Sequence, residues 1–498
     1  MEQTKTKHKI LGAILLVLLC LLSLVAFLGF FAAIWYRDVY GDTGFDSVLY
    51  TLTGGLGGMQ TGLLINFLSG AILPAVLCTC GVALLLYLPR KREWMPPRGV
   101  ANVISLLTSI ALLTHAAFNI GLVQFIHAKT QLSEMYENEY VDPNTVEITF
   151  PEEKRNLIYI YLESMETSYL HTSEGGAMDV NLIPELTQLA QDNINFSHNE
   201  HVGGLVEVPG ASWTVGAMVA QTAGVPLITP TDVDDWQNGY GKDGVFLPGL
   251  TSLNNILADN GYNQALMVGS DANFGGRKTY FETHGVDRIY DLYTAWEDGI
   301  VPYGYFEWWG FEDKYLFEYA KQEITEMAAQ EEPFAFTMLT VDTHHIGGYT
   351  CTLCGDDHAE SYENAISCSS KQVAAFVKWI QAQPFYENTT VIITGDHFSM
   401  DSGYFDRNVE KGYVRHGYNC FLNAAAEVKI PPQNRQFSSL DMFPTTLAAM
   451  GCAIEGNRLG FGVNLFEGPP TLIEEFGYSA FCTELNKRTE YYENFYED

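Results

Sequence analysis

Positive charge is scarce in this chain. Lysine and arginine number 27 against 60 aspartates and glutamates, a formal net charge of −33. A nucleic-acid binder presents a basic footprint, so that class is excluded. The same deficit excludes docking on anionic lipid by surface charge alone; any work at a membrane needs a true anchor. Among the nine cysteines there is no pair of CxxC units at zinc-finger spacing, which argues against a structural zinc. Internal repeats and low-complexity tracts are missing too. With 498 residues the chain is too long for one core, and two or more structural units are expected.

Charge of either sign is absent from Ile10 to about Tyr36. This run follows a short basic head, Lys5 to Lys9, and is long enough to cross a bilayer. It exceeds the apolar core of a signal peptide and ends on Trp35-Tyr36, a pair suited to the membrane interface. A second span is expected from about Leu63 to Leu88, closed by Pro89-Arg-Lys-Arg-Glu93. A third runs from about Val100 to Ile126 and carries His115 and Asn119. The bias of Lys and Arg puts the basic head and the Arg90–Arg92 loop in the cytoplasm and the link near Arg37 outside. Three spans then leave everything after about Lys129 outside, as a multi-pass cell-membrane protein with an extracellular or periplasmic domain. The later cysteines suit an oxidising compartment. One disulfide joining Cys368 to Cys351 or Cys354 is expected, in a loop after His345.

Beyond a polar connector (128–150), Asn156-Leu-Ile-Tyr-Ile-Tyr-Leu162 reads as a buried central strand, with Glu163 at its end. Three later strands end the same way, at Asp271, at Asp342-Thr-His-His345 and at Asp396-His397. Helical stretches alternate with them: 180–193, 214–223, 250–260, 313–330, 369–382 and 439–450. That pattern predicts an α/β domain, a sheet flanked by helices, over 151–470. A membrane domain over 1–127 precedes it, and an acidic, tyrosine-rich tail over 471–498 follows.

Ligands bind outside the carboxyl ends of strands in such sheets. Asp396-His397 offers one oxygen and one nitrogen ligand side by side, and Glu163 can supply a third. Thr214 stands where a helix begins, after Gly210, so its hydroxyl lies in a field that favours an alkoxide and a bound phosphate. A divalent metal would lower that hydroxyl's pKa further. Glu163, Thr214, Asp396 and His397 thus form an oxygen-rich site around one metal, with Thr214 as the nucleophile. The plainer expectation for Thr214 is a helix N-cap, and for Asp396-His397 a turn.

Leu162-Glu163-Ser164, Trp213-Thr214, Thr394-Gly-Asp-His397 and Ser439-Leu-Asp-Met-Phe-Pro-Thr445 together resemble the sulfatase branch of the alkaline phosphatase superfamily. Within it they are most similar to the phosphoglycerol transferases of the lipoteichoic acid synthase and membrane-derived-oligosaccharide type. The resemblance covers about Asn156 to Gly451. It implies a mixed, mostly parallel sheet, one divalent cation (manganese or magnesium, with zinc as a further candidate) and a threonine that becomes covalently phosphoglycerylated. The implied donor is phosphatidylglycerol, and the implied acceptor a glycan or polyglycerolphosphate. His344 or His345 matches the substrate-side histidine, one of the two being catalytic and the other near it, since neighbours on an extended strand end cannot face one way. The stretch Ser270 to Phe281 resembles the headgroup-binding segment, with Asp271 and Arg277 as substrate contacts. It departs from the lipoteichoic acid synthases in having Gly275-Gly276 where they carry an aromatic. A phosphoethanolamine transferase shares the threonine and the anchor. A true sulfatase needs Cys/Ser-x-Pro-x-Arg, which Trp213-Thr-Val-Gly-Ala217 does not offer.

Overall fold

The structure is a computed structural model that describes residues 2–41, 44–53, 61–87, 97–228 and 244–497. It divides into two units, residues 1–45 with 59–127, and residues 46–58 with 128–498. The basic loop Arg90–Arg92, used above for orientation, lies outside the described residues.

In the first unit three helices are long and apolar enough to cross a membrane: Ile10–Tyr40, Gly62–Tyr87 and Arg98–Asn119. The third is shorter than its apolar run. The chain breaks at Gly121, whose positive φ ends the helix before a separate one over Leu122–Lys129 begins. Polar groups within this unit meet one another. The Ser23 hydroxyl lies 3.3 Å from that of Ser105 and 3.4 Å from that of Ser109, and Arg37 donates to the Asn119 carbonyl.

The second unit is built on a seven-stranded sheet. Its strands are β1 (Asn156–Leu162), β2 (Gly204–Leu205), β3 (Asn263–Val268), β4 (Arg288–Tyr290), β5 (Phe334–Leu339), β6 (Thr389–Gly395) and β7 (Gly417–Leu422). They lie in the order β2-β7-β6-β1-β5-β3-β4. Five run parallel, while β7 is antiparallel to both β6 and β2, so the sheet is mixed and mostly parallel as expected.

Strand β1 is paired on both sides and covered on both faces, which is why it carries no polar residue after Asn156. Its side chains alternate between two cores. Leu157, Tyr159 and Tyr161 enter one, with helices α2 (Thr214–Ala223), α3 (Leu253–Asp259) and α7 (Met442–Ala449). Ile158, Ile160 and Leu162 enter the other, with α1 (Pro184–Asp192), α5 (Asp313–Ala328) and α6 (Ser361–Gln381).

Several boundaries differ from expectation. Strands β3 and β5 stop at Val268 and Leu339, two residues short of the apolar runs. Asp342 therefore does not project from a strand end; its carboxylate accepts from the Asp313 N–H at the start of α5. Helix α6 begins at Ser361, eight residues early, which places Cys368 on a helix and not in the loop. The capping serine ahead of α7 is Ser438, in a capping box with Asp441.

The stretches expected as connector and tail pack together. Ile148–Thr149 pairs with Ala453–Ile454. The Tyr136 ring, 3% exposed, lies 4.7 Å from Phe461 and 6.2 Å from Phe495. Replacing Phe495 by alanine should cost about 3–5 kcal/mol as for other buried phenylalanines. Chemical denaturation of the full-length variant in detergent checks this; an unchanged midpoint would mean that the C-terminal segment does not share the core.

Candidate active site

The parallel register pairs Leu162 with Gly395, so Glu163 and Asp396 leave the sheet side by side. Both are buried, 0% and 1% exposed. The turn after β1 is tight: Ser164 adopts φ 54°, which aims its N–H at Asp396 Oδ1, 2.9 Å away. The N–H of His397 donates to the same oxygen at 2.7 Å. Glu163 Oε1 accepts from the Ser164 hydroxyl at 2.8 Å. The other carboxylate oxygens, Glu163 Oε2 and Asp396 Oδ2, have no hydrogen-bond partner.

His397 completes the group. Its Nδ1 sits 2.8 Å from the Phe398 carbonyl, a contact that holds a proton on Nδ1 and leaves Nε2, whose lone pair is free once its own proton is lost, facing the two acids. Nε2 lies 3.7 Å from Glu163 Oε1 and 3.4 Å from Asp396 Oδ2. Burial, and then the Asp396 charge beside it, push the Glu163 carboxyl up to about 8. Burial works against charge on His397, but Asp396, Glu163 and Glu207 outweigh it and raise the imidazole to about 9.

Thr214 is the first residue of α2, after Trp213 as N-cap, and its hydroxyl makes no capping bond. Oγ1 instead lies 3.4 Å from His397 Nε2. The preceding loop is shaped by Gly210, at φ 80°, where a Cβ would meet the Leu227 carbonyl at 2.7 Å. From inside α2, the Gln221 amide donates to the carbonyls of Gly395 and Asp396, at 3.2 and 3.3 Å, fixing the helix to the strand end.

Ligand atoms of Glu163, Asp396 and His397 all lie within 4.8 Å of one another. Two unpartnered carboxylate oxygens, one imidazole lone pair and an adjacent hydroxyl suit a hard or borderline divalent cation. Without such a cation, two buried carboxylates face each other at a cost that protonation only partly relieves.

The histidine pair follows a turn instead of an extended strand. The His344 and His345 rings stack there, with centroids 4.5 Å apart and planes 27° from parallel. The His344 ring also packs against Trp309 at 3.9 Å. Burial lowers the basicity of both, to about 3 for His345, helped by the charge of His397.

Arg277 is not a solvated loop residue. It is 1% exposed, at the start of helix α4 (Arg277–Thr283). Its Nε and Nη2 donate to Phe274 O, Ser270 Oγ and Asp271 O. Nη1 has no partner, and burial lowers the guanidinium to about 10. Asp271 uses its carboxylate within the turn, accepting from the Asn273 N–H and the Tyr293 hydroxyl.

Sequence reasoning did not find three supports of this site. Glu207 accepts from the Phe398 N–H, beside His397, and burial pushes it up to about 7. Glu166 accepts from Ser399 N and is gripped by Arg415, so Arg415 acts on the loop after His397. Tyr50 donates to Gly275 O at 2.7 Å, and its ring lies 5.1 Å from Trp213. The spacing of Glu166 three residues after Glu163 was a readable signal. Nothing in the sequence marks Tyr50, which is far away along the chain.

Comparison with known proteins places this geometry. Phosphoglycerol transferase I of Escherichia coli (strain 55989 / EAEC) is 28% identical over 383 residues, covering 73% of this chain and 46% of that protein. The protein of that name from Citrobacter koseri is 29% identical over 405 residues, covering 76% and 49%. The chain spans about half the length of the curated relatives it matches. The integral membrane lipooligosaccharide phosphoethanolamine transferase A of Neisseria meningitidis has a similar fold. Its TM-score is 0.52 at 14% identity, over 88% of this chain and 84% of that one. The Sulfatase family profile matches residues 155–452. That stretch is more than half of the 498 residues and contains Glu163, Thr214, Asp396 and His397, and the chain belongs to the Sulfatase family.

Proposed function

We propose that the protein is a membrane-anchored phosphoglycerol transferase that takes phosphoglycerol from phosphatidylglycerol and passes it to a glycan or glycerolphosphate acceptor. The observation that carries this reading is the Thr214 hydroxyl, turned away from its helix cap and 3.4 Å from His397 Nε2, beside two unpartnered carboxylate oxygens. The relatives named phosphoglycerol transferase supply the group transferred. Residues 1–127 serve as the membrane part, 128–150 as the connector and 151–470 as the catalytic domain, on the outer side, followed by the tail at 471–498. Tethering keeps the site at the surface that holds its lipid.

Glu163, Thr214, Asp396 and His397 would hold one divalent cation, manganese, magnesium or zinc, whose charge lowers the hydroxyl's pKa and neutralises phosphoryl oxygens. Thr214 Oγ1 attacks phosphorus, the ester bond to diacylglycerol breaks, and the phosphoglycerol group stays on the threonine. The acceptor hydroxyl then attacks the same phosphorus and frees Thr214. His344 or His345 protonates the departing diacylglycerol oxygen in the first step or takes the proton of the incoming hydroxyl in the second. Arg277 faces phosphoryl charge with its unpartnered Nη1.

Thr214→Ala should reduce diacylglycerol release to background while the protein stays folded and binds metal more weakly; Thr214→Ser should keep part of the activity. Because the hydroxyl caps nothing, the alanine variant should lose less than the ~1 kcal/mol typical of a lost cap. Near-normal release by folded Thr214→Ala protein refutes the nucleophile. Release from phosphatidylethanolamine in place of phosphatidylglycerol, with ethanolamine phosphate on Thr214 by mass spectrometry, would make the protein a phosphoethanolamine transferase.

Glu163→Gln separates metal from fold. Burial and Asp396 already hold the metal-free Glu163 carboxyl up at about 8, so glutamine resembles its neutral form and the chelated variant should be about as stable as the wild type at neutral pH. Manganese should then raise the wild-type melting temperature but not the variant's. Equal manganese stabilisation of both proteins, with activity retained, would remove Glu163 from the ligand set.

A further inference from the structure

Cys351, Cys354 and Cys368 converge outside the site just described. Cys351 and Cys354 sit in the loop that follows His344-His345, and Cys368 comes up from α6. Cys351 Sγ is 3.8 Å from Cys354 Sγ and 3.9 Å from Cys368 Sγ, and the three sulfurs lie within 4.8 Å of one another. The structure holds them as thiols, not as the disulfide that the sequence suggested. Cys351 and Cys368 are buried, while Cys354 is partly open to solvent.

We infer that these three cysteines form a thiolate site for a soft divalent cation of the zinc class. Three observations support it. A single disulfide among three neighbouring sulfurs leaves the third unengaged, whereas a cation engages all three. A tetrahedral zinc with Zn–S of about 2.3 Å sets sulfurs about 3.8 Å apart, and the two short separations are 3.8 and 3.9 Å. The sulfurs also receive N–H donors, as metal-bound thiolates do. Leu353 N–H points at Cys351 Sγ and Gln372 Nε2 at Cys368 Sγ, both at 3.4 Å. In the Cys-x-x-Cys turn, Cys354 N–H bonds back to the Cys351 carbonyl at 3.1 Å, so the chain itself brings the two sulfurs together.

Binding is an exchange of protons for metal: three thiols release three protons, three sulfur–metal bonds form, and no oxidant takes part. The partly open Cys354 side leaves the fourth position to water. The absence of a second CxxC argued against zinc only because a sequence does not show that a helix turns Cys368 toward the loop. The site would pin the segment that begins at His344-His345 onto α6, and it stands independently of the transferase reading.

The test uses full-length protein in detergent carrying Asp396→Ala, so that the carboxylate–imidazole group does not compete for the probe. Protein alkylated under denaturing conditions at harvest should show all three cysteines modified on peptide mapping. Cobalt(II) added to unalkylated, chelator-treated protein should give a near-ultraviolet thiolate-to-cobalt charge-transfer band that saturates at one ion per chain. Zinc should displace it, and Cys368→Ser should abolish it. Alkylation and zinc displacement read native cysteines, so they decide even if Cys368→Ser does not fold. A disulfide between any two of the three, or three free thiols with no charge-transfer band, overturns the inference.

Discussion

Two carboxylates held side by side at the dry end of a sheet set the terms for the rest of this site. Glu163 and Asp396 are neighbours because β1 and β6 run parallel in a register that ends both strands together. Burial deprives them of water and their charges repel. The surrounding chain answers part of that cost. Backbone N–H groups of Ser164 and His397 converge on one Asp396 oxygen, and the Ser164 hydroxyl serves Glu163. What is left unanswered, one oxygen on each acid, is where a cation fits. The strained Ser164 backbone, the Gln221 clamp and the Glu207 contact to Phe398 are all arranged around holding that pair in place.

The parts of this architecture that depend on local pattern were legible in the sequence. An uninterrupted apolar heptapeptide can only be a strand covered on both faces, and β1 spans those seven residues. Helix α2 begins at Thr214 and ends at Ala223 because a glycine with positive φ follows it. Strand-end chemistry put Glu163 and Asp396-His397 at one edge. Residues whose surroundings are made by distant chain were not legible. Apolar character ran two residues past β3 and β5, so Asp342 was placed at the sheet edge when it in fact answers α5. The histidine pair was read as if still extended, and the turn before it lets the two rings stack. Cys368 was assigned to a loop although Tyr362, Ala365 and Ile366 already follow helical spacing through the first turns of α6.

Membership of the Sulfatase family accounts for the sheet and its edge. Behind them lies a further layer. Arg415 lies 3.7 Å over the Phe405 ring and grips Glu166, which in turn fixes Ser399, two residues past His397. A cation is thus placed behind the metal-ligand loop without entering it. His198 and His416 stack at 3.3 Å nearby, and burial keeps His416 at about 3 and His198 at about 4, so neither adds charge. His397 is the nitrogen base that directly faces the two acids, and the buried Arg277 guanidinium lies within electrostatic reach of Glu163.

Tyr50 ties the sheet-bearing unit to a segment far upstream in the chain. The unit is discontinuous: residues 46–58 belong to it together with 128–498, and 59–127 are interposed in the chain. During synthesis the segment that carries Tyr50 is therefore made first and must wait for Trp213 and Gly275 to exist before it has anything to close upon. Proteolytic release of the domain near residue 128 would leave that tyrosine behind. The freed protein would keep every candidate ligand and lose the hydroxyl that holds the Gly275 carbonyl two residues from Arg277. A soluble fragment of this protein is for that reason a different molecule at its rim, even where its sheet is the same.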